Sequence, residues 1–195
     1  MESLLQPIYN FLYAPLPLKA VGIVVGLWLL ISHGFALFKP GIVKPWLEKF
    51  PRNDNLGVIL VIIGFAWALV IWSCMDLGEF FKIERPVQMI IIAMCVGVII
   101  YVKEFIAVRS LGFLMILAAA PILDAAFLKD PQTRLLLVAF AYALAIKGMF
   151  WVGMPYLMRD QIKWVLAESK RYTIGAAAGA VYGAIILVCA LAFGW

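Results

Sequence analysis

Two stretches of this chain place one ionisable residue before a glycine inside an apolar run, with a proline shortly after: LLISHGFALFKPG at 29–41 and LAIKGMFWVGMPY at 144–156. His33 and Lys147 are the residues so placed. An imidazole there can be a hydrogen-bonded core group. It can also ligate a haem or chlorophyll-type pigment, with the neighbouring glycine making room for the ring. Haem held by two protein ligands more often uses a second histidine, and this chain has one. An ammonium in an apolar run can bind an anion, couple to a translocated ion, or meet an acidic group of a partner. Asp124 is the one carboxylate well inside such a run.

The elements that hold these residues follow from composition. Of 195 residues, 66% are hydrophobic and 14% are charged, against about half and a quarter in soluble domains. A core of this chain length cannot bury that much apolar surface, whereas a bilayer removes the need. The expected fold class is all-α: a polytopic membrane protein forming one transmembrane domain over 1–195. Six apolar runs, about 18–38, 56–76, 86–102, 110–128, 134–157 and 173–195, approach the ~20 residues needed to cross ~30 Å of hydrocarbon. The first 18 residues lack a basic start and a signal-peptide pattern. They read as an interfacial segment with Tyr9, Phe11 and Tyr13 at headgroup level. Cys74, Cys95 and Cys189 show no paired spacing and read as small core hydrophobes.

Depth connects the polar candidates. His33 lies about 21 Å into the first span and Lys147 about 19 Å into the fifth, at ~1.5 Å per residue. Both spans run the same way, so the two residues are expected to line one polar spot. With the fifth span running to 157, ~18 Å of helix separates Lys147 from either interface, which makes snorkelling a poor escape. Asp124 is placed ~8 Å deep, so a pair with Lys147 needs water, a tilt or a bend. Pro121 and Pro155 free the carbonyls of Leu117 and Trp151 and supply bends or acceptors. In the sixth span, GAAAGAVYG puts Gly175, Gly179 and Gly183 on one face. Such a groove lets helix backbones approach in lipid, and LAAAP in the fourth span offers a matching small surface.

The loops set orientation. Lys and Arg number ten in the odd loops and five in the others, which predicts odd loops in the cytoplasm and both termini outside. The net charge of +5 reports topology rather than nucleic-acid binding. Loops one and five read as short interfacial helices, with Trp46, Phe50, Trp164 and Tyr172 dipping into the bilayer and basic groups meeting anionic headgroups. WLEKFPRNDNLG (46–57) and WVLAESKRYTIG (164–175) are alike, so spans one–two and five–six form a candidate parallel repeat.

No nucleophile, phosphate-binding, dinucleotide or zinc motif is present, so an enzyme is the least supported class. The first functional expectation is a non-catalytic integral membrane subunit packing into a larger complex, or self-associating, in a bacterial inner membrane. The alternative is a small transporter or channel with a midplane site around Lys147 and His33. A further alternative is a pigment- or haem-binding subunit through His33. Lipid is the expected bound component in each case.

Overall fold

Helices this apolar need no amphipathic stripe, and their limits are set by caps, prolines and short connections. The structure is a computed structural model that describes residues 2–13, 16–75, 77–193 and 195, with side chains at all of these except 2–4, 11–13, 80 and 81. Among the described residues it is all-helical. Six helices are long and apolar enough to cross a membrane: α2 (Leu18–Phe38), α4 (Asp54–Cys74), α5 (Glu84–Tyr101), α6 (Ile106–Ala126), α7 (Arg134–Gly153) and α9 (Ser169–Ala192). Three shorter α-helices accompany them among the described residues, α1 (Glu2–Tyr13), α3 (Pro40–Lys49) and α8 (Tyr156–Ala167), with 3₁₀ turns at Phe50–Arg52 and Gly78–Ile83.

The boundaries depart from the sequence expectations for local reasons. The Asn53 side chain accepts from the Leu56 N–H at 3.1 Å, so α4 starts at Asp54 under an N-cap. The connection between α5 and α6 is four residues, 102–105, and ends on Phe105 at φ 54°. The fifth span stops at Gly153 instead of continuing to 157. Pro155 has no N–H and disfavours a helical residue before it, and Met154 leaves the helix at φ −128°, ψ 71°. The chain then restarts as α8. Residues 2–13, expected as an interfacial segment, form α1, which packs on α4 and α6. Tyr9 is half-buried there, while the side chains of Phe11 and Tyr13 lie outside the described residues.

α6 is the centre of the bundle. It buries ten of its residues and packs on α7 and α4, whereas α5 buries none and leans on α4. One core cluster joins Leu29 of α2, Ile122 of α6, Leu137 of α7 and Ile186 of α9. A second, at the other end of α6, joins Phe50, Val108, Trp151 and Met158. The candidate repeat fares poorly against this packing. A parallel repeat would pair α7 with α4 as α2 pairs with α9, yet the close neighbour of α7 is α6.

Two antiparallel pairs, α2 with α9 and α6 with α7, are drawn together at glycines. A methyl group on Gly183 would lie 2.7 Å from the Leu29 Cβ and 2.8 Å from the Leu30 nitrogen. One on Gly112 would lie 2.7 Å from the Gly148 carbonyl oxygen, and one on Gly148 would lie 2.6 Å from that of Gly112. No side chain fits at such a backbone approach. The groove on α9 is thus filled by α2, not by the LAAAP surface of α6, and Gly175 lies outside it with nothing within 4 Å of its added methyl.

Gly112→Ala and Gly183→Ala are each expected to cost about 1–3 kcal/mol, because the obstructing atoms are backbone. Gly175→Ala should be neutral or stabilise, through helix propensity. Unfolding midpoints in mild detergent check this, and equal effects at 112 and 175 would remove the close-approach account.

Candidate functional site

Each polar residue singled out from the sequence has a definite place. The His33 imidazole Nδ1 lies 2.9 Å from the Leu29 carbonyl oxygen, one turn back on its own helix. The opposite ring edge, Cδ2 and Nε2, packs on Gly179 of α9, at a point where no methyl would fit. The glycine that makes room for this ring is therefore Gly179, not the adjacent Gly34. With its Nε2 edge against α9, the imidazole serves helix packing, and this geometry lends no support to a haem or pigment ligand.

Lys147 does not meet His33. It is exposed on α7, with its ammonium 5.4 Å from the centre of the Trp151 ring. Because α7 ends at Gly153, six residues on, only ~9 Å of helix remains to that end. Snorkelling, a poor option with a helix to 157, is therefore partly open to it. The carbonyl acceptor expected near Pro155 is replaced by the Trp151 ring. Asp124 is also exposed and lies two residues before the end of α6 at Ala126, nearer the interface than the expected ~8 Å. Its carboxylate pairs with no cation among the described residues. Pro121 sits buried inside an unbroken α6.

Two residues assigned to loops from the sequence turn out to be helix caps. Arg109, in the first turn of α6, donates from Nη1 to the Val152 carbonyl at 2.7 Å. Arg134, which opens α7, donates to the Ala126 carbonyl at 3.1 Å. Each therefore serves the C-terminal end of the partner helix, where unpaired carbonyls and the helix dipole favour a cation. Sequence reading missed both roles because each arginine also fits a topology count.

Functional geometry of another kind lies on the face formed by α3, the turn Phe50–Arg52, residues 102–105 and α8. Phe50 (4% exposed) and Tyr172 (5%) are buried rather than dipping into the bilayer, whereas Trp46 (51%) and Trp164 (62%) are exposed as expected. The Tyr172 hydroxyl donates to the Ala36 carbonyl at 2.8 Å, and Lys44 lies over its ring. Phe50 and Met158 are embedded in the second core cluster, which fixes the turn and α8. Between them lies a cavity of about 270 Å³ walled by Arg52, Phe105, Arg159 and Lys163. The Arg159 guanidinium sits 5.9 Å from the Phe105 ring centre. The signal for this cleft was present in the sequence as basic residues in loops one and five, but their convergence was not.

Compared with protein family models, curated proteins and solved structures, the chain matches none of them.

A double-mutant cycle tests the His33 contact. Gly179→Ala is expected to destabilise the bundle in the presence of the imidazole and to be tolerated in a His33→Ala background. Residues in contact couple by about 0.5–3 kcal/mol. Additive midpoints would show that the ring does not occupy the Gly179 site, and a chromophore lost from purified protein on His33→Ala would restore the cofactor reading.

Proposed function

We propose that this protein is a non-catalytic integral membrane subunit that presents one face of α7 to a partner helix bearing an acidic group. The carrying observation is the position of Lys147. It shares an exposed stripe with Ala139, Ala143, Phe150 and Met154. A lysine at the centre of a spanning helix costs about 2.5–3.5 kcal/mol on insertion scales. A cation–π contact at an exposed site returns about 0.5–1 kcal/mol. Partial snorkelling lowers the cost, and an acid on a neighbouring helix would remove the remainder. Several other polar groups are used internally: Ser110 donates to Ile106, Tyr182 to Leu136 and Trp195 to Thr133, while Asp124 stays exposed near the end of α6. The transporter alternative draws on a shared His33–Lys147 site, on a repeat and on broken helices at Pro121 and Pro155; of these, a break before Pro155 is the one the helix limits favour.

Lys147→Met keeps most of the side chain and removes the charge. The expected result is a folded chain that no longer co-purifies with its neighbouring subunit in mild detergent, since loss of one member leaves the partner acid unpaired. Unchanged assembly would count against the subunit reading. Intact assembly with lost uptake or conductance in vesicles would point to transport instead.

The proposed membrane is a bacterial inner membrane, with both termini outside. Setting aside the two capping arginines, Lys and Arg stand at nine on the face of α3 and α8 against four on the other, a bias that favours α3 and α8 in the cytoplasm. Ser169 and Gln132 are exposed on opposite faces. Cysteine labelling at each, in a chain lacking Cys74, Cys95 and Cys189, should report Ser169 inside and Gln132 outside. The reverse pattern would invert the orientation.

A further inference from the structure

We propose that the cleft between the Phe50–Arg52 turn and α8 is a binding site for a phosphate-bearing anion, the headgroup of an anionic phospholipid being the source that fits its walls. Three segments distant in sequence build it. The buried Phe50 and Pro51 hold Arg52 in place. Met158, 7% exposed, anchors α8, so Arg159, Ile162, Lys163 and Leu166 fall at helical spacing along one wall. Phe105 closes the third side in a left-handed conformation, φ 54° and ψ 34°. That conformation costs a bulky residue about 1–3 kcal/mol and persists only where its surroundings hold it.

The charges are unevenly spent. Arg159 pairs with Asp160 at 2.9 Å. Arg52 and Lys163 make no hydrogen bond or ion pair among the described residues, and Glu48 is the single carboxylate on the walls. Arg52 also borders a second, shallow and open depression of about 390 Å³ with Lys49, Asn53, Asp54 and Asn55. Arginine and lysine converging on one hollow suit phosphate oxygens, the guanidinium in a bidentate manner and the ammonium as a point charge. Phe105, Ile162 and Leu166 add an apolar side that a free ion does not use and a lipid tail does. At about 270 Å³ the cavity suits a headgroup rather than a drug-sized ligand, whose pockets run about 300–1,000 Å³. It opens on the basic face, where anionic headgroups concentrate.

The test uses the full chain in phosphatidylcholine-containing micelles, with thermal midpoints read on adding phosphatidylglycerol or, separately, glycerol phosphate. The wild type is compared with Arg52→Gln/Lys163→Gln and with Lys39→Gln/Lys170→Gln, which removes equal charge from the same face outside the cleft. All four side chains are exposed, so both variants should fold, and single Lys163→Gln serves if the first pair does not. At ~100 times the dissociation constant, phosphatidylglycerol should raise the midpoint by about 5–10 °C. That shift should persist in the control pair and vanish in the cleft pair. A shift with phosphatidylglycerol alone identifies a lipid site, and an equal shift with glycerol phosphate identifies a soluble phosphate ester in the same cleft. Equal loss in both pairs, or no shift with either probe, overturns the proposal.

Discussion

The arrangement depends on how closely two pairs of backbones can approach. In lipid there is no hydrophobic drive between helices, so association rests on van der Waals contact and hydrogen bonds. Gly112 and Gly148 face each other between α6 and α7, and Gly26 and Gly183 do so between α2 and α9. These approaches bring further polar groups into reach. Arg109 and Arg134 meet the far ends of their partner helices, and Tyr182 reaches the Leu136 carbonyl across to α7. The arginine contacts act where a helix ends and its carbonyls lose their intrahelical partners. Two donors remain unmatched among the described residues, the Arg109 Nε and the Trp151 Nε1, both buried near the end of α7.

From this follows the division of the polar residues into those the fold uses and those it leaves outward. His33 is held between Leu29 and Gly179 and belongs to the α2–α9 pair. Lys147 precedes Gly148 by one residue. The glycine faces inward onto α6, which places the lysine on an exposed face of α7. One helix thus carries a close backbone contact and an outward-facing charge at consecutive positions, about 100° apart around the axis. The cationic cleft belongs to neither pair. It arises because the turn at Phe50 and the helix α8 are both pinned to the same end of α6.

Part of this organisation was legible in the chain. Six apolar runs of nearly sufficient length named the six long helices, and the basic residues with tryptophan in loops one and five named α3 and α8. Gly179 and Gly183 were read as a packing face, and they are one. What misled was partnership and termination. The alanines of α6 offer one matching surface for the groove, but Gly22 and Gly26 on α2 carry the same four-residue spacing, and α2 is the helix that fills it. The fifth apolar run extends to 157 with Pro155 freeing a carbonyl inside it, whereas α7 ends at Gly153, two residues before that proline. That single boundary brought Lys147 closer to a helix end; it stays level with His33 along the helices, but His33 faces α9 while Lys147 faces outward.

By itself the sequence determined what each segment can tolerate around it: helix-length apolar runs, breaks at proline and short polar connections, and small residues wherever a close neighbour is required. These are local properties, set by hydrocarbon thickness, backbone hydrogen bonding and side-chain volume. Which helix fills which groove was decided only in the tertiary structure. Any small-residue face can accept any other, and contact between α2 and α9 joins residues as distant in the chain as Ala36 and Tyr172, 136 positions apart. The same holds for Arg52, Phe105 and Lys163: each is an ordinary loop or helix residue in the chain, and only the packing of three segments on one end of α6 places them around a common cavity.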